Sequence, residues 1–578
     1  MSLAQHSEHA LPALPLRPPE EVMTPEAMSA FKASRLSFLR HVIGRMVAER
    51  WRIECDRFDL DEEGRGIAVY RLENPGRTLY FVVNSDNLPE ERRTDRIVEN
   101  HYDGEAFLCL GDPTEERIEF QRGQFRDFLL GRADVDTLGW TRVNRSSRVF
   151  NAIADALAEG RQPDMELAAS AGYLVRNNGF WGNGRHGSAI FPSFGRQEFL
   201  GQPYHADLLT LFMWRHFSVE LVEHVARCRN PRAAALAPGM KRFLGVGNAS
   251  GLGLVPFLMR HPLRVHHWIR LRETAIARAK AKAAVPGAPE TLRLRDLVAR
   301  ARRYYAEGIQ VRPGIFQGSA GQVADLDALG AALAEFVDAG TVAGATPERP
   351  WAALCDWAAS NLHREGIELL HSLLIEVHPE LTADLEKRIL EPVDDATDVR
   401  PGQGVGDLME LLESHYRWAL EMDVSDESAR KHFWYLSYDN LEPRHGLRGV
   451  DPGEEFETFV DTVGELQALG RDLRRACPEQ SVGVFLFAHP QHRQTVERVQ
   501  AVTAAGAVYG EIRANVLSDD FEPCHLIRYI LTQYGMEKLD PQSRLWVRGT
   551  FLQGAPTAED IADGVEGDWI FPLAPSQD

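Results

Sequence analysis

The sequence predicts a mixed α and β fold, with an N-terminal α+β region holding an antiparallel meander, a large central α-helical body and a C-terminal α/β region. Three observations predict it. Residues 52 to 83 contain three β-branched, partly alternating apolar runs separated by the turn sequences DEEGRG and NPGR. From Pro203 onward the apolar residues recur with a helical period, and after residue 455 strand-like and helix-like segments alternate.

A chain of 578 residues exceeds what one hydrophobic core usually supports. We therefore expect a flexible arm over 1–23, an α+β domain over 24–160, a mainly helical body over 161–430 and a mixed α/β region over 431–578. A hydrophobic content of 44% and a charged content of 26% match ordinary globular usage. The formal charge of -20 argues against nucleic acid or anionic membrane as a partner. Six widely spaced cysteines without a CxxC pair disfavour both a disulfide framework and a thiolate metal site, and fit a reducing compartment. Without a signal-peptide pattern or a long apolar run, the expected location is cytoplasmic.

Taken in order, Thr24 before Pro25 predicts the start of a helix reaching about Trp51, with Phe31, Leu36, Leu39, Val42, Ile43 and Met46 in its apolar stripe. Strands are predicted over 52–60, 67–72, 78–83 and 105–110, with helices over 90–99 and 115–130. The glycine- and asparagine-rich stretch 171–194 predicts an ordered loop, pinned by Phe180 and Trp181 and able to present Arg185 to a ligand. Leu208, Leu209, Leu211, Phe212, Phe217, Leu221, Val222 and Val225 predict a buried helix of about 25 residues. Further helices are expected over 265–282, 291–307, 325–338, 350–376, 380–390 and 405–421. The last third should run helix 455–475, strand 482–487, helix 491–503, strand 507–513, helix 523–534 and strand 544–548. The sequence AHPQH, residues 488–492, follows the expected strand 482–487, at the end where open parallel sheets take ligands.

Three constellations carry candidate chemistry. The first is MKRFLGVGNASGLGLVPFLMRHP, residues 240–262, in which Gly245, Gly247, Gly251 and Gly253 interleave with Asn248 and Ser250. Such a stretch can turn its amides toward an anion before the helix opening at Leu254, so Asn248, Ser250 and Gly251 are candidate substrate-binding residues, together with Arg185. Its glycine spacing is wider than a dinucleotide fingerprint, and Leu254 and Val255 stand where a phosphate-binding loop needs Lys and Ser or Thr. The second is helical: His216, Glu220 and His224 recur at four-residue spacing, and Glu368 with His371 makes a Glu-x-x-His pair, a donor set suited to iron, manganese or zinc. The third is HFWYLSYDNLEPRHGLRGVDPGEEFE, residues 432–457, where Tyr438, Glu442 and His445 offer acid/base groups and Arg444 a carboxylate clamp.

The first expectation is an enzyme acting on a small anionic metabolite, a carboxylate or phosphate, by acid/base chemistry through the first and third constellations. Its reaction and cofactor are unspecified, and homo-oligomerisation is left open. The alternatives are a helical His/carboxylate oxygenase or hydrolase using His216, Glu220, His224, Glu368 and His371, and a non-enzymatic protein-binding module.

Overall fold

The N-terminal meander is the first part of a larger sheet in the computed structural model. The structure describes residues 15–89, 102–122, 136–146, 149–182, 199–202, 204–250, 258, 261–283, 285, 287–308, 319–339, 351–389, 399–423, 433–436, 443–446, 455–500, 508–510, 522–543 and 546–575. Strands β1 (Arg52–Leu60), β2 (Gly66–Asn74), β3 (Arg77–Ser85), β4 (Gly104–Leu110), β5 (Thr137–Arg145) and β6 (Tyr173–Gly182) pair antiparallel in chain order. β7 (Gly245–Ser250) then joins β6 in parallel. The strands β8 (Phe433–Leu436), β9 (Pro443–Gly446) and β10 (Glu455–Thr458) form a separate small sheet, and β11 (Asp540–Ser543) and β12 (Trp546–Phe551) close the large one. Its order is β1-β2-β3-β4-β5-β6-β7-β12-β11. The sheet thus crosses the boundaries expected at 160 and 430.

Alternation in the meander separates two cores. Ala68, Tyr70 and Leu72 of β2, with Leu79, Phe81 and Val83 of β3, face the main core. Val69 and Val82 face the other side, with Phe107, Cys109 and Trp140. The sheet is therefore covered on both faces, which explains why β3 and β4 read as nearly continuous apolar runs.

The helices follow the sequence with local corrections. The long helix expected over 24–51 is two: α1 (Pro25–Ser29), where Thr24 accepts from the Ala27 amide at 3.2 Å, and α2 (Phe38–Glu49). The buried helix expected from Pro203 forms as α3 (His205–Arg229), crossing β4 to β7 with Phe212, Trp214 and Phe217 in the core. Each such side chain is worth about 1.5–3 kcal/mol when buried. The helical body continues with α4 (Pro262–Lys280), α5 (Pro289–Gly308), α6 (Ser319–Ala339), α7 (Ala352–Asn361) and α8 (Arg364–Val377). The last four share a second core, centred on Leu294, Leu297, Leu333, Leu370 and Leu373.

In the last third, α9 (Val405–His415) packs with α10 (Phe459–Leu473), α11 (Val482–Ala488) and α12 (Arg493–Gln500). The expected strand 482–487 is helix α11, because Ser481 caps it by accepting from the Val484 amide at 3.3 Å. A short apolar run without its cap reads equally as strand or helix. The expected strand 507–513 is, in its described part, a 3₁₀ turn at Val508–Gly510. The helix α13 (Pro523–Tyr534) and the strand at β12 appear as expected, followed by α14 (Ala558–Asp563). Among the described residues no helix is long and apolar enough to cross a membrane.

Candidate functional site

The glycine stretch is not a loop in its described part. Residues 245–250 are β7, hydrogen-bonded between β6 and β12, so the amides expected to cradle an anion serve the sheet ladder. Its glycines answer to packing: a Cβ on Gly245 would lie 2.2 Å from the Phe551 carbonyl oxygen, and one on Gly247 would lie 2.5 Å from the Tyr173 ring. The Asn248 amide donates to Asn177 Oδ1 at 3.1 Å, and Asn177 donates to Thr141 Oγ1 at 2.8 Å, a polar ladder across three strands. Ser250 donates to Asn248 Oδ1. The expected loop 171–194 likewise begins as a strand, β6, because Tyr173, Leu174 and Val175 continue the meander. Arg185 and Gly251 lie outside the described residues.

In the third constellation, Arg444 and His445 sit in β9 opposite Tyr435 and Trp434 of β8. Tyr438 and Glu442 lie outside the described residues.

The five helical candidates divide between two places. Glu368 and His371, on α8, face α4 and the N-terminal segment. Arg17 donates to Glu368 at 2.5 Å and to Glu273 at 2.7 Å, and Arg272 donates to Glu368 at 2.8 Å. Two guanidinium groups therefore stand where a cation would bind. Burial alone would raise the Glu368 carboxyl, but Arg17 and Arg272 hold it well below the carboxylate range. His371, 3.5 Å from Glu368, is pushed down to about 4 by burial and is neutral at pH 7.

His216 and Glu220 stay together, with His216 Nε2 3.8 Å from Glu220 Oε1. His224, one turn further, turns away to the Asp61 carbonyl at 2.9 Å. His216 and Glu220 line a cleft of about 80 Å³ between α3, Lys241 and the start of α14. Tyr70 on β2 donates its hydroxyl to Glu220 in a short contact and sets its ring edge-on to His216, centroids 5.5 Å apart. Burial, then the Glu220 charge, keeps the Tyr70 phenol protonated far above its usual range. Burial lowers His216, against the opposing pull of Glu220 and Glu559, so its imidazole is neutral near pH 7.

On the far wall Thr557 and Asp560 form a capping box, placing Glu559 in the first turn of α14. Burial would raise Glu559, but backbone amides and the Thr557 hydroxyl hold it down as a carboxylate. Lys241 is paired with Glu223 at 3.0 Å. Arg215 donates to the main-chain carbonyls of Leu244, Pro556, Lys241, Arg242 and Ala555 at 2.7–3.0 Å. This holds both walls of the cleft to α3. Both cations are thus engaged, and the lining offers a neutral imidazole beside carboxylates.

Helical spacing places His216 and Glu220 side by side on α3, as expected of candidate metal ligands, though without His224. It could not find Tyr70 or Glu559, which arrive from a strand and from the C-terminal helix with no local signal. Compared with family models, curated proteins and solved structures, the chain matches none of them.

Proposed function

We propose that the protein is an acid/base enzyme acting on a small polar metabolite at the cleft beside His216. The observation that carries this reading is the His216 imidazole, partly exposed to the cleft and 3.8 Å from a Glu220 carboxylate that Tyr70 anchors. In it, His216 takes a proton from the substrate, Glu220 stabilises the imidazolium that results, and Glu559 faces the developing positive charge. Since Lys241 and Arg215 are engaged, a substrate with a hydroxyl or amino group fits the lining better than the anion expected from the sequence.

The test is a metabolite panel scored first by thermal stabilisation and then by turnover. For any compound converted by the wild type, His216→Gln should retain binding and lose roughly 10²–10⁴-fold in kcat. Unchanged kcat in that variant would end this reading.

A second reading keeps the anionic metabolite. It is favoured by one observation: among the described strands of the large sheet, β6 and β7 pair in parallel, so their carboxyl ends, Gly182 and Ser250, point to the same end of the sheet. Open sheets take ligands at such ends. Phosphate or carboxylate binding that is weakened in Arg185→Ala but not in His216→Gln would select this reading.

A further inference from the structure

The sequence HPQH, residues 489–492, belongs to neither reading above. His489 caps the end of α11, and Pro490 opens a single 3₁₀ turn that closes at His492. That turn brings two imidazoles spaced three apart onto one side. Their rings stack, centroids 6.0 Å apart, and both stack on the buried Phe485, at 4.7 and 6.1 Å. Facing them is Asp472, in the last turn of α10. Its Oδ2 lies 2.9 Å from His492 Nε2 and 3.7 Å from His489 Nδ1. The three groups offer ligand atoms that all lie within 4.8 Å of one another.

We propose that Asp472, His489 and His492 form a binding site for a divalent transition ion of the zinc class. Tetrahedral zinc, about 2.0–2.2 Å from nitrogen and oxygen ligands, sets those ligands roughly 3.3–3.6 Å apart, so the Asp472–His492 contact needs to open by about half an ångström. The donor set of two imidazoles and one carboxylate, without thiolate, suits zinc, iron, nickel or copper over calcium or magnesium. Packing prearranges it: His492 is buried at 4% exposure, while Leu473 and Phe485, beside the ligands, belong to the main core. Arg475 approaches the other carboxylate oxygen of Asp472, Oδ1, at 3.4 Å, leaving Oδ2 to the ion. Asp472 and His489 are partly exposed, so the fourth position opens to solvent. Three protein ligands with an open fourth position is the arrangement of catalytic rather than structural zinc, and the ion would carry water there.

A hydrogen-bonded Asp–His pair alone accounts for His492. It does not account for His489, whose ring is held beside the same oxygen by stacking. The test is calorimetric titration of the full-length, chelator-stripped protein with zinc chloride, repeated with cobalt to read visible absorption. The expected result is one saturable equivalent with four-coordinate cobalt absorption, weakened at least tenfold in both His489→Gln and Asp472→Asn, with far-ultraviolet circular dichroism unchanged. His489→Gln removes a partly exposed ring, and Asp472→Asn keeps the shape of the His492 contact, so both should fold. Binding equal to wild type in both variants, or no saturable equivalent, overturns the assignment.

Discussion

Arg17 bonds Glu368 at 2.5 Å across 351 positions of the chain, and the same guanidinium grips Glu273. The start of the described chain is thereby fastened to two helices of the central body. Removing one member of a buried pair strands the others, at a cost of about 3–5 kcal/mol. Arg17→Ala should lower the melting temperature by several degrees. A melting curve that superimposes on the wild type would show that the N-terminal segment is not held this way.

Glu365, one turn before Glu368, is gripped by Lys32 at 2.6 Å and Arg528 at 2.7 Å. Burial would raise its carboxyl, but Arg528 and Lys32 bring it down to about 2. A depressed carboxylate stabilises above its unfolded value and loses that contribution as pH falls through the folded one. The gap in melting temperature between wild type and Glu365→Gln should be full above about pH 4.5 and shrink toward pH 2. A gap independent of pH would contradict the ion pairing.

His371 shifts in the same direction, from a higher starting value. Folded, it titrates at about 4, while the unfolded chain protonates it near 6.5, so the unfolded state binds more protons between those values. Stability should therefore fall as pH drops from 6.5 toward 4, and His371→Met should flatten part of that slope. Thermal melts at half-unit pH steps provide the check.

Two glycine substitutions should move in opposite directions. Gly44 sits within α2, and an added Cβ there meets nothing within 4 Å, so Gly44→Ala should stabilise by about 0.8–1 kcal/mol. Gly245→Ala would drive its methyl into the Phe551 carbonyl, separating β7 from β12. We expect poor expression or a melting temperature at least several degrees lower. A wild-type melt for Gly245→Ala would mean that the two strands are less closely apposed.

Legibility in the sequence followed the range of the interactions. α3 was readable because 25 residues of apolar periodicity outweigh any local exception, and the meander because its turns are written between its strands. β7 was not, since the glycines that suggested a cradle are required by Phe551 and Tyr173, which lie far away in sequence. α11 reads as a strand from sequence because six apolar residues and one glycine carry too few turns to show a period, and its helical signal lies in the Ser481 cap. At the cleft, the i, i+4 pair His216 and Glu220 was visible on one helix, whereas Tyr70 meets Glu220 only through the packing of α3 on β2.

The pairing of β7 with β12, Val246 opposite Phe551, bears on how the protein is made. The edge of β7 that faces β12 can be paired only after residues 546–551 have been made, about 300 residues later in the chain. Contacts of such high sequence separation form late, and an unpaired edge meanwhile invites other chains. Ribosomes stalled before residue 546 should hold a nascent chain that depends on chaperones, and a truncation removing the last strand should aggregate rather than yield a smaller folded protein.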